Sequence, residues 1–283
     1  MDNQVLEKIL EIITCEIGIV PKDSHKTGIL NFVDKRCGEL SLKKEEYYDF
    51  VKEDSSEFEL LINAATVNET YFFREEAQYS LLKEKILPEL KNELLDKDNL
   101  FYQKMPLRLW SAATASGEEI YSLYLLCKVL GIKCECTASD VNTKKLVQCK
   151  TGAYKPHSCR TSDGASFHHL LKDFKMEDES ILFPPEICSE IKCRKINLFK
   201  MKGFPISQHI IFVRNVFIYF DFETRKKVLS HLVNESLLPG GYLFVSMNEV
   251  ASLDLSILPN TLEKKSDGKV FYFQKKKESG RTL

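Results

Sequence analysis

The sequence predicts an α/β fold, an open and mainly parallel sheet with helices on both faces. Three observations carry that prediction. From residue 107 onward, apolar runs short enough for buried strands alternate with stretches of helical period. Residues 107–119, LRLWSAATASGEE, pass from such a run through small residues and Gly117 into paired acids and a helix. That is how a sheet presents backbone N–H groups at its carboxyl edge. Near the end, residues 262–264 and 270–274 flank Ser266-Asp267-Gly268 and read as a terminal antiparallel hairpin.

The totals set the limits. A chain of 283 residues with 43% hydrophobic side chains can bury one large core, with or without a small attached domain. Forty basic and 41 acidic residues leave a net charge of -1, which gives no general electrostatic reason for nucleic-acid binding. The first residues lack a signal-peptide core, and no run reaches bilayer length, so a cytoplasmic protein without membrane insertion is expected. Nine cysteines, an odd number, read as scattered reduced thiols, with Cys134 and Cys136 on one face of a strand. No His or Cys array has metal-ligand spacing; adjacent His168 and His169 could not both face one ion from a regular helix.

Taken in order, residues 5–17 carry Val5, Leu6, Ile9, Leu10, Ile12 and Ile13 at helical spacing, and Gly18 and Pro21 end that helix. Residues 28–40, 41–51 and 58–65 supply three more helices. Lys35 and Arg36 point outward from the first of these; Tyr47, Phe50 and Val51 point inward from the second. Residues 1–65 thus read as a small helical domain suited to protein recognition, which needs the rest of the chain to pack. Its lysines and arginine are accounted for by a solvated face. Residues 68–74, NETYFFR, follow: two phenylalanines to anchor the segment, with Asn68, Thr70 and Arg74 as polar groups around them. On a helix Thr70 and Arg74 would share a face; a packed linker with its arginine paired to a surface acid is the plainer alternative. Residues 77–90 form an amphipathic helix closed near Pro88, and residues 91–105 a charged connection.

Past the central strand and its helix, residues 134–138 form the next strand, with Asp140 just beyond it and 30 positions after Trp110. That is about the span of one βαβ unit. An acid there can accept hydrogen bonds from two ribose hydroxyls, or cap the following segment, where Asn142 and Thr143 are the other candidates. Residues 155–192 read as an insertion over the carboxyl edge, containing Gly164, Pro184, Pro185 and an amphipathic stretch at 167–174. Residues 191–196 form a strand ending at Asn197 and Leu198, and residues 209–213 a buried strand ending at Arg214 and Asn215. An aromatic stretch (216–221), a helix (223–237), a turn at Pro239-Gly240-Gly241 and a strand (242–246) complete the sheet before the hairpin.

The chain has no Walker A loop, no G-x-S-x-G elbow and no metal triad. Small-residue backbone, Glu119, Asp140, Asn197, Arg214, Asn215 and Tyr219 converge on the predicted edge, within reach of Arg74. Acids predominate among the proposed first contacts. They suit a positively charged, ribose-bearing cofactor such as S-adenosylmethionine better than a triphosphate. The blocks NETYFFRE, WSAATASGEEIYS, ASD ending at Asp140, GAY at 152–154, INL at 196–198, FVRNVFIYFD from Phe212 and LLPGG ending at Gly241 occur in order across nearly the whole chain. Together they resemble the CheR family of S-adenosylmethionine-dependent chemoreceptor glutamate methyltransferases.

The resemblance implies a methyltransferase domain over residues 66–283. It places Asn68, Thr70 and Arg74 near cofactor and substrate, Glu119 at the amino-acid end of S-adenosyl-L-methionine, and Asp140 at its ribose. Asn197 and Leu198 take the adenine side, and Arg214 and Asn215 complete the cofactor pocket. Arg74 and Tyr219 form the catalytic pair expected near the acceptor carboxylate. The implied reaction moves a methyl group to glutamates in the cytoplasmic region of methyl-accepting chemoreceptors, giving a methyl ester and S-adenosyl-L-homocysteine. A glutamate with a reference pKa of about 4.3 is already ionised near neutrality, so alignment and partial desolvation replace a general base. Glu119 keeps a second reading, as the far end of a capping box that begins at Ser116.

The chain departs from the family pattern at Ile120 (usually Pro), Val213 (often Cys), Phe217 (often Met) and Ser246-Met247-Asn248-Glu249. The insertion is short, with no clear glycine-bearing hairpin turn beyond Gly164, so docking of a receptor tail peptide is not expected. Two functional readings follow: a protein-glutamate methyltransferase, acting on receptors or on another protein, and a catalytically weak cofactor-binding regulatory module.

Overall fold

The computed structural model describes residues 2–95 and 106–277. The chain begins with α1 (Asp2–Ile17), α2 (Asp23–Leu40), α3 (Lys44–Glu53) and α4 (Ser55–Ala65). Asp54 starts α4 by accepting the Glu57 N–H at 2.8 Å, an N-cap that the helical period, which begins at Phe58, does not reveal. Arg36 is not the solvated charge the sequence suggested. Its Nε and Nη2 reach both oxygens of buried Glu57 at 2.8 and 2.6 Å, and the Tyr47 hydroxyl donates to the same carboxylate at 2.9 Å. This bond cluster ties α2, α3 and α4 together. Tyr47 and Val51 face inward as expected; Phe50 is only half-buried.

A helix then runs through α5 (Glu76–Leu81), a π turn (Leu82–Ile86) and α6 (Leu87–Leu95). It does not close at Pro88. Just before the proline the ladder widens, Leu87 N–H bonding to the Leu82 carbonyl, which carries the backbone past a residue with no N–H to offer. Most of the charged connection expected at 91–105 lies outside the described residues.

The body continues with β1 (Leu107–Ser111), α7 (Glu118–Val129), β2 (Cys134–Asp140) and α8 (Thr143–Thr151). Next come β3 (Ala153–Tyr154), β4 (Ile181–Leu182), α9 (Pro185–Ser189), β5 (Ile191–Lys195) and β6 (Gln208–Phe212). Last are α10 (Phe222–His231), β7 (Leu237–Phe244), α11 (Met247–Ser252), β8 (Leu262–Asp267) and β9 (Val270–Lys275). Seven strands form one sheet in the order β5-β2-β1-β6-β7-β9-β8. The first five are parallel, and β9 is antiparallel to both of its neighbours. The expected turn at Pro239-Gly240-Gly241 falls inside β7 as an irregularity, where the register jumps from Gln208 opposite Leu237 to Ile210 opposite Tyr242.

Alternation along the strands divides the apolar residues between two cores. Leu107, Leu109, Ile210, Phe212, Tyr242 and Phe244 face α5, α6, α7 and the insertion. Trp110, Ile211, Val213, Leu243, Val245 and Phe273 face the other way, against α10, α11 and the four amino-terminal helices. The latter helices share a continuous core with the sheet. Polar bonds reinforce the contact: the Asn142 amide donates to the Asn63 carbonyl at 3.1 Å and to the Thr66 hydroxyl at 2.7 Å, and Asn63 in turn accepts the Thr143 N–H.

The insertion contains the short β3–β4 pair and a 3-10 helix, Ala165–Phe174, which buries Phe167 and Leu171. The nine cysteines are all free, and the sulfurs of Cys134 and Cys136 lie 3.8 Å apart on one face of β2. Among the described residues no helix is long and apolar enough to cross a membrane, and no cluster of His, Cys, Asp or Glu could hold a metal ion.

Candidate functional site

Strand order reverses direction between β1 and β6, and a cavity opens at the carboxyl ends of the strands there. It contains about 840 Å³ of empty space, open mouth included. Every residue that the family resemblance assigned to cofactor or catalysis lines it: Asn68, Thr70, Arg74, Glu119, Asp140, Asn197, Leu198, Arg214, Asn215 and Tyr219. Ala112, Ala113 and Ala115 form part of its wall, where the lack of bulk allows a ligand close to backbone.

The loop from β1 to α7 is held by the end of β2. Trp110 Nε1 donates to the Ser139 hydroxyl at 2.8 Å, and that hydroxyl donates to the Ala112 carbonyl at 3.1 Å. The Ser139 carbonyl accepts the Thr114 N–H at 2.9 Å, and Asp140 Oδ2 accepts the Ala115 N–H at 2.8 Å. Ala115 thereby keeps a φ of 48°, a conformation that an L side chain rarely adopts. Gly117 then starts α7 with a φ of 98°, and a Cβ there would lie 2.4 Å from the Cys149 sulfur. Only glycine fits.

Asp140 is not the cap of α8. Asn142 takes that place, its side chain accepting the Lys145 N–H at 2.9 Å, while Asp140 Oδ1 accepts the Asn142 N–H at 2.8 Å. Burial pushes the Asp140 carboxyl up from its usual range, against the pull of these N–H groups.

Glu119 does not close its own helix. Its carboxylate accepts from the Ser111 hydroxyl at 2.6 Å and from Arg214 Nε at 2.7 Å. Arg214 is buried and gathers three segments: Nη1 donates to the Arg74 carbonyl at 2.8 Å and to Gln78 Oε1 at 3.0 Å, with Glu75 at 3.6 Å. Burial alone would lower its pKa, but Glu119, Tyr79 and Glu75 around it hold the guanidinium above its ordinary value. Glu118, its neighbour in sequence, faces away toward Ser158, and burial raises its carboxyl.

Thr70 and Arg74 reach the cavity from a turn, not a helix. Phe73 and Glu75 both have positive φ, at 56° and 60°. The turn is clamped from the insertion: the Asp163 carboxylate accepts from the Tyr71 hydroxyl at 2.7 Å and from the Glu75 and Glu76 N–H groups at 2.6 and 3.0 Å. Gly164 packs so tightly there that a Cβ would sit 2.5 Å from the Phe72 carbonyl oxygen. Arg74 itself donates to the Glu69 carbonyl at 2.7 Å, with its guanidinium 5.6 Å from the Tyr71 ring.

Tyr219 is half-buried, its ring centre 5.4 Å from that of His25, its carbonyl accepting the Val20 N–H at 2.9 Å. Burial, then nearby Glu249, raise its phenol pKa, so the hydroxyl stays a donor at neutral pH. Asn197 donates to the Glu16 carbonyl at 2.8 Å, joining α1 to the segment after β5. Asn68 turns its amide to Thr66.

The supporting roles of Gln78, Asp163 and Glu249 went unread in the sequence. The Asp163-Gly164 pair is a turn signal that could have pointed to the second. The departures from the family pattern lie off the cavity wall. Ile120, Val213 and Phe217 are buried in the two cores, and Asn248 is exposed.

Residues 68–263, more than half of the chain, match a family model described as CheR methyltransferase, SAM binding domain. Among curated proteins the chain is 31% identical over 265 residues to chemotaxis protein methyltransferase 2 of Vibrio cholerae, covering 86% of this chain and 88% of that one. It is 28% identical over 255 residues to a chemotaxis protein methyltransferase of Borreliella burgdorferi, covering 86% and 87%. To chemotaxis protein methyltransferase Cher2 of Pseudomonas putida it is 32% identical over 203 residues, covering 68% and 69%. The acids and small-residue backbone that suit a sulfonium nucleoside thus lie in a matching domain, and the chain belongs to the CheR family of S-adenosylmethionine-dependent methyltransferases.

Proposed function

We propose that the protein methylates glutamate side chains in the cytoplasmic region of methyl-accepting chemoreceptors, leaving S-adenosyl-L-homocysteine. The observation that supports this reading most directly is that Arg74 and Tyr219 share one cavity with Glu119, Asp140, Asn197 and Asn215. The relatives are chemotaxis protein methyltransferases, which favours a receptor as acceptor. S-adenosylmethionine, when bound, supplies an electrophilic methyl on its sulfonium centre. In this reading Asp140 binds the ribose, Asn197 and Leu198 bound the adenine side, and Glu119 meets the amino-acid end.

Arg74 is tethered by one bond to the Glu69 carbonyl and keeps guanidinium donors for an incoming carboxylate. The tether fixes the direction of the guanidinium, so its remaining donors orient the nucleophile. Tyr219 donates a hydrogen bond from a neutral phenol. No residue needs to abstract a proton, because the acceptor carboxylate is ionised already. Residues 1–65, taken as a recognition domain, bring Glu16, Val20 and His25 against the site.

Incubation with methyl-labelled S-adenosylmethionine and receptor cytoplasmic fragments tests the reading. Base-labile label should map to glutamates, and Arg74→Ala should abolish it while still binding cofactor. Label on a different cytosolic protein would retain the chemistry and replace the acceptor. Tight cofactor binding without transfer to receptor or cytosolic fractions would point to a regulatory module.

A further inference from the structure

Glu249 lies on α11, outside the cavity wall, 1% exposed, and its carboxylate collects three backbone N–H groups. Oε2 accepts from Asn215 at 2.7 Å and from Ser246 at 3.1 Å, and Oε1 accepts from Ile218 at 3.2 Å. The Ser246 hydroxyl in return accepts the Glu249 N–H at 3.3 Å, which fixes the first turn of α11. Two of the three donors belong to the 214–219 turn. That turn carries Arg214 and Asn215 at one end and Tyr219 at the other, and Asn215 sits in it at a φ of 57°. A buried carboxylate is the group best suited to this task, since it offers acceptor sites on both oxygens and no donor.

We propose that Glu249 is a positioning residue for the acceptor side of the methyl-transfer site, holding the 214–219 turn so that Tyr219 lines the cavity it shares with Arg74. This rests on the function proposed above. The two oxygens divide the work. Oε2 holds Asn215 on the cofactor side, and Oε1 holds Ile218, next to Tyr219. In Glu249→Gln, an amide oxygen in the Oε2 position keeps Asn215 and Ser246, while its NH2 group meets the Ile218 N–H, donor against donor. The substitution therefore loosens the Tyr219 end of the turn selectively.

The test compares wild type, Glu249→Gln, Glu249→Asp, Tyr219→Phe and the Tyr219→Phe/Glu249→Gln double variant. Affinity for S-adenosylhomocysteine by calorimetry should stay within about threefold of wild type in Glu249→Gln, while kcat on receptor fragments falls by up to about tenfold, the cost of removing the Tyr219 hydroxyl itself. Amide hydrogen exchange, read without substrate, should quicken over residues 216–219. In the Tyr219→Phe background the same substitution should cost much less, because the two residues act as a unit. If Glu249→Gln does not fold, Glu249→Asp carries the comparison: it keeps the charge but shortens the reach, and should lose kcat to a smaller degree with cofactor affinity intact.

Equal loss of cofactor affinity and kcat, unchanged exchange at 216–219, or full additivity with Tyr219→Phe would overturn the proposal. A wild-type enzyme that labels no receptor fragment would overturn the proposed function instead, while the exchange and affinity measurements would still report on Glu249.

Discussion

Arg214 and Glu119, 95 positions apart, are joined at 2.7 Å between Nε and Oε2, with only 2% and 9% of their side chains exposed. The pair connects the end of β6 to the start of α7 beneath the cavity. Removing one partner of such a pair leaves a buried, uncompensated charge, which costs about 3–5 kcal/mol. Glu119→Ala should lower the unfolding free energy by that order in urea titrations. Glu119→Gln, which keeps an acceptor toward Arg214, should lose less. A change below about 0.5 kcal/mol for Glu119→Ala would show that the pair contributes little to the fold.

Asp140 uses both carboxylate oxygens on backbone, one for each of the loops after β1 and β2. An amide at that position can accept on one side only. Asp140→Asn should strand one buried N–H, a cost of about 1–3 kcal/mol, and should weaken S-adenosylhomocysteine binding by about tenfold or more. Calorimetry checks the affinity, and thermal unfolding of the free protein checks the loop. Intact affinity would overturn the proposed role of Asp140 at the ribose.

Tyr219 has its phenol pKa raised above the ordinary value near 10 by burial and by Glu249. A residue that only donates needs no titration below that range. Turnover should therefore be flat with respect to Tyr219 from about pH 6 to 9. Tyr219→Phe should reduce kcat about tenfold without altering the shape of the profile. An ionisation near pH 7 that vanishes in Tyr219→Phe would make the tyrosine a base after all.

Glu57 gives a pH dependence of stability that is separate from activity. Its carboxyl is held below the usual range, chiefly by the Arg36 hydrogen bonds. Its folded pKa is the lower one, so the unfolded chain binds more protons between the two values. The stabilisation is complete above the unfolded pKa and is lost as pH falls through the folded one. Glu57→Gln should cost about 1.5–3 kcal/mol near neutrality and should flatten the stability curve below about pH 4.5. Asp140 acts with the opposite sign: its raised folded pKa favours the folded state in acid and is a burden as pH rises. Urea midpoints between pH 3 and 7 separate the two, and a Glu57→Gln curve parallel to wild type would contradict the assignment.

The sequence alone determined the alternation of strands and helices, the two apolar faces of each central strand, and the side chains that meet at the sheet's carboxyl edge. Periodicity reports burial, and burial of a strand on both faces follows from local composition. Tertiary structure decided what each polar group does. Glu119 could cap α7 or turn inward, and the approach of Arg214 from β6 settled it. Arg36 looked like part of a solvated face until Glu57 came within reach from α4. Pro88 looked like a helix end until a π turn carried the backbone past it. Gln78 and Glu249 had no local signature as supports of the site, and Asp163 had only a turn signal, because the partners they hold there lie 136 and 167, 31 and 34, and 87 and 88 positions away. A hydrogen bond depends on which distant segments come together, and only the folded chain specifies that.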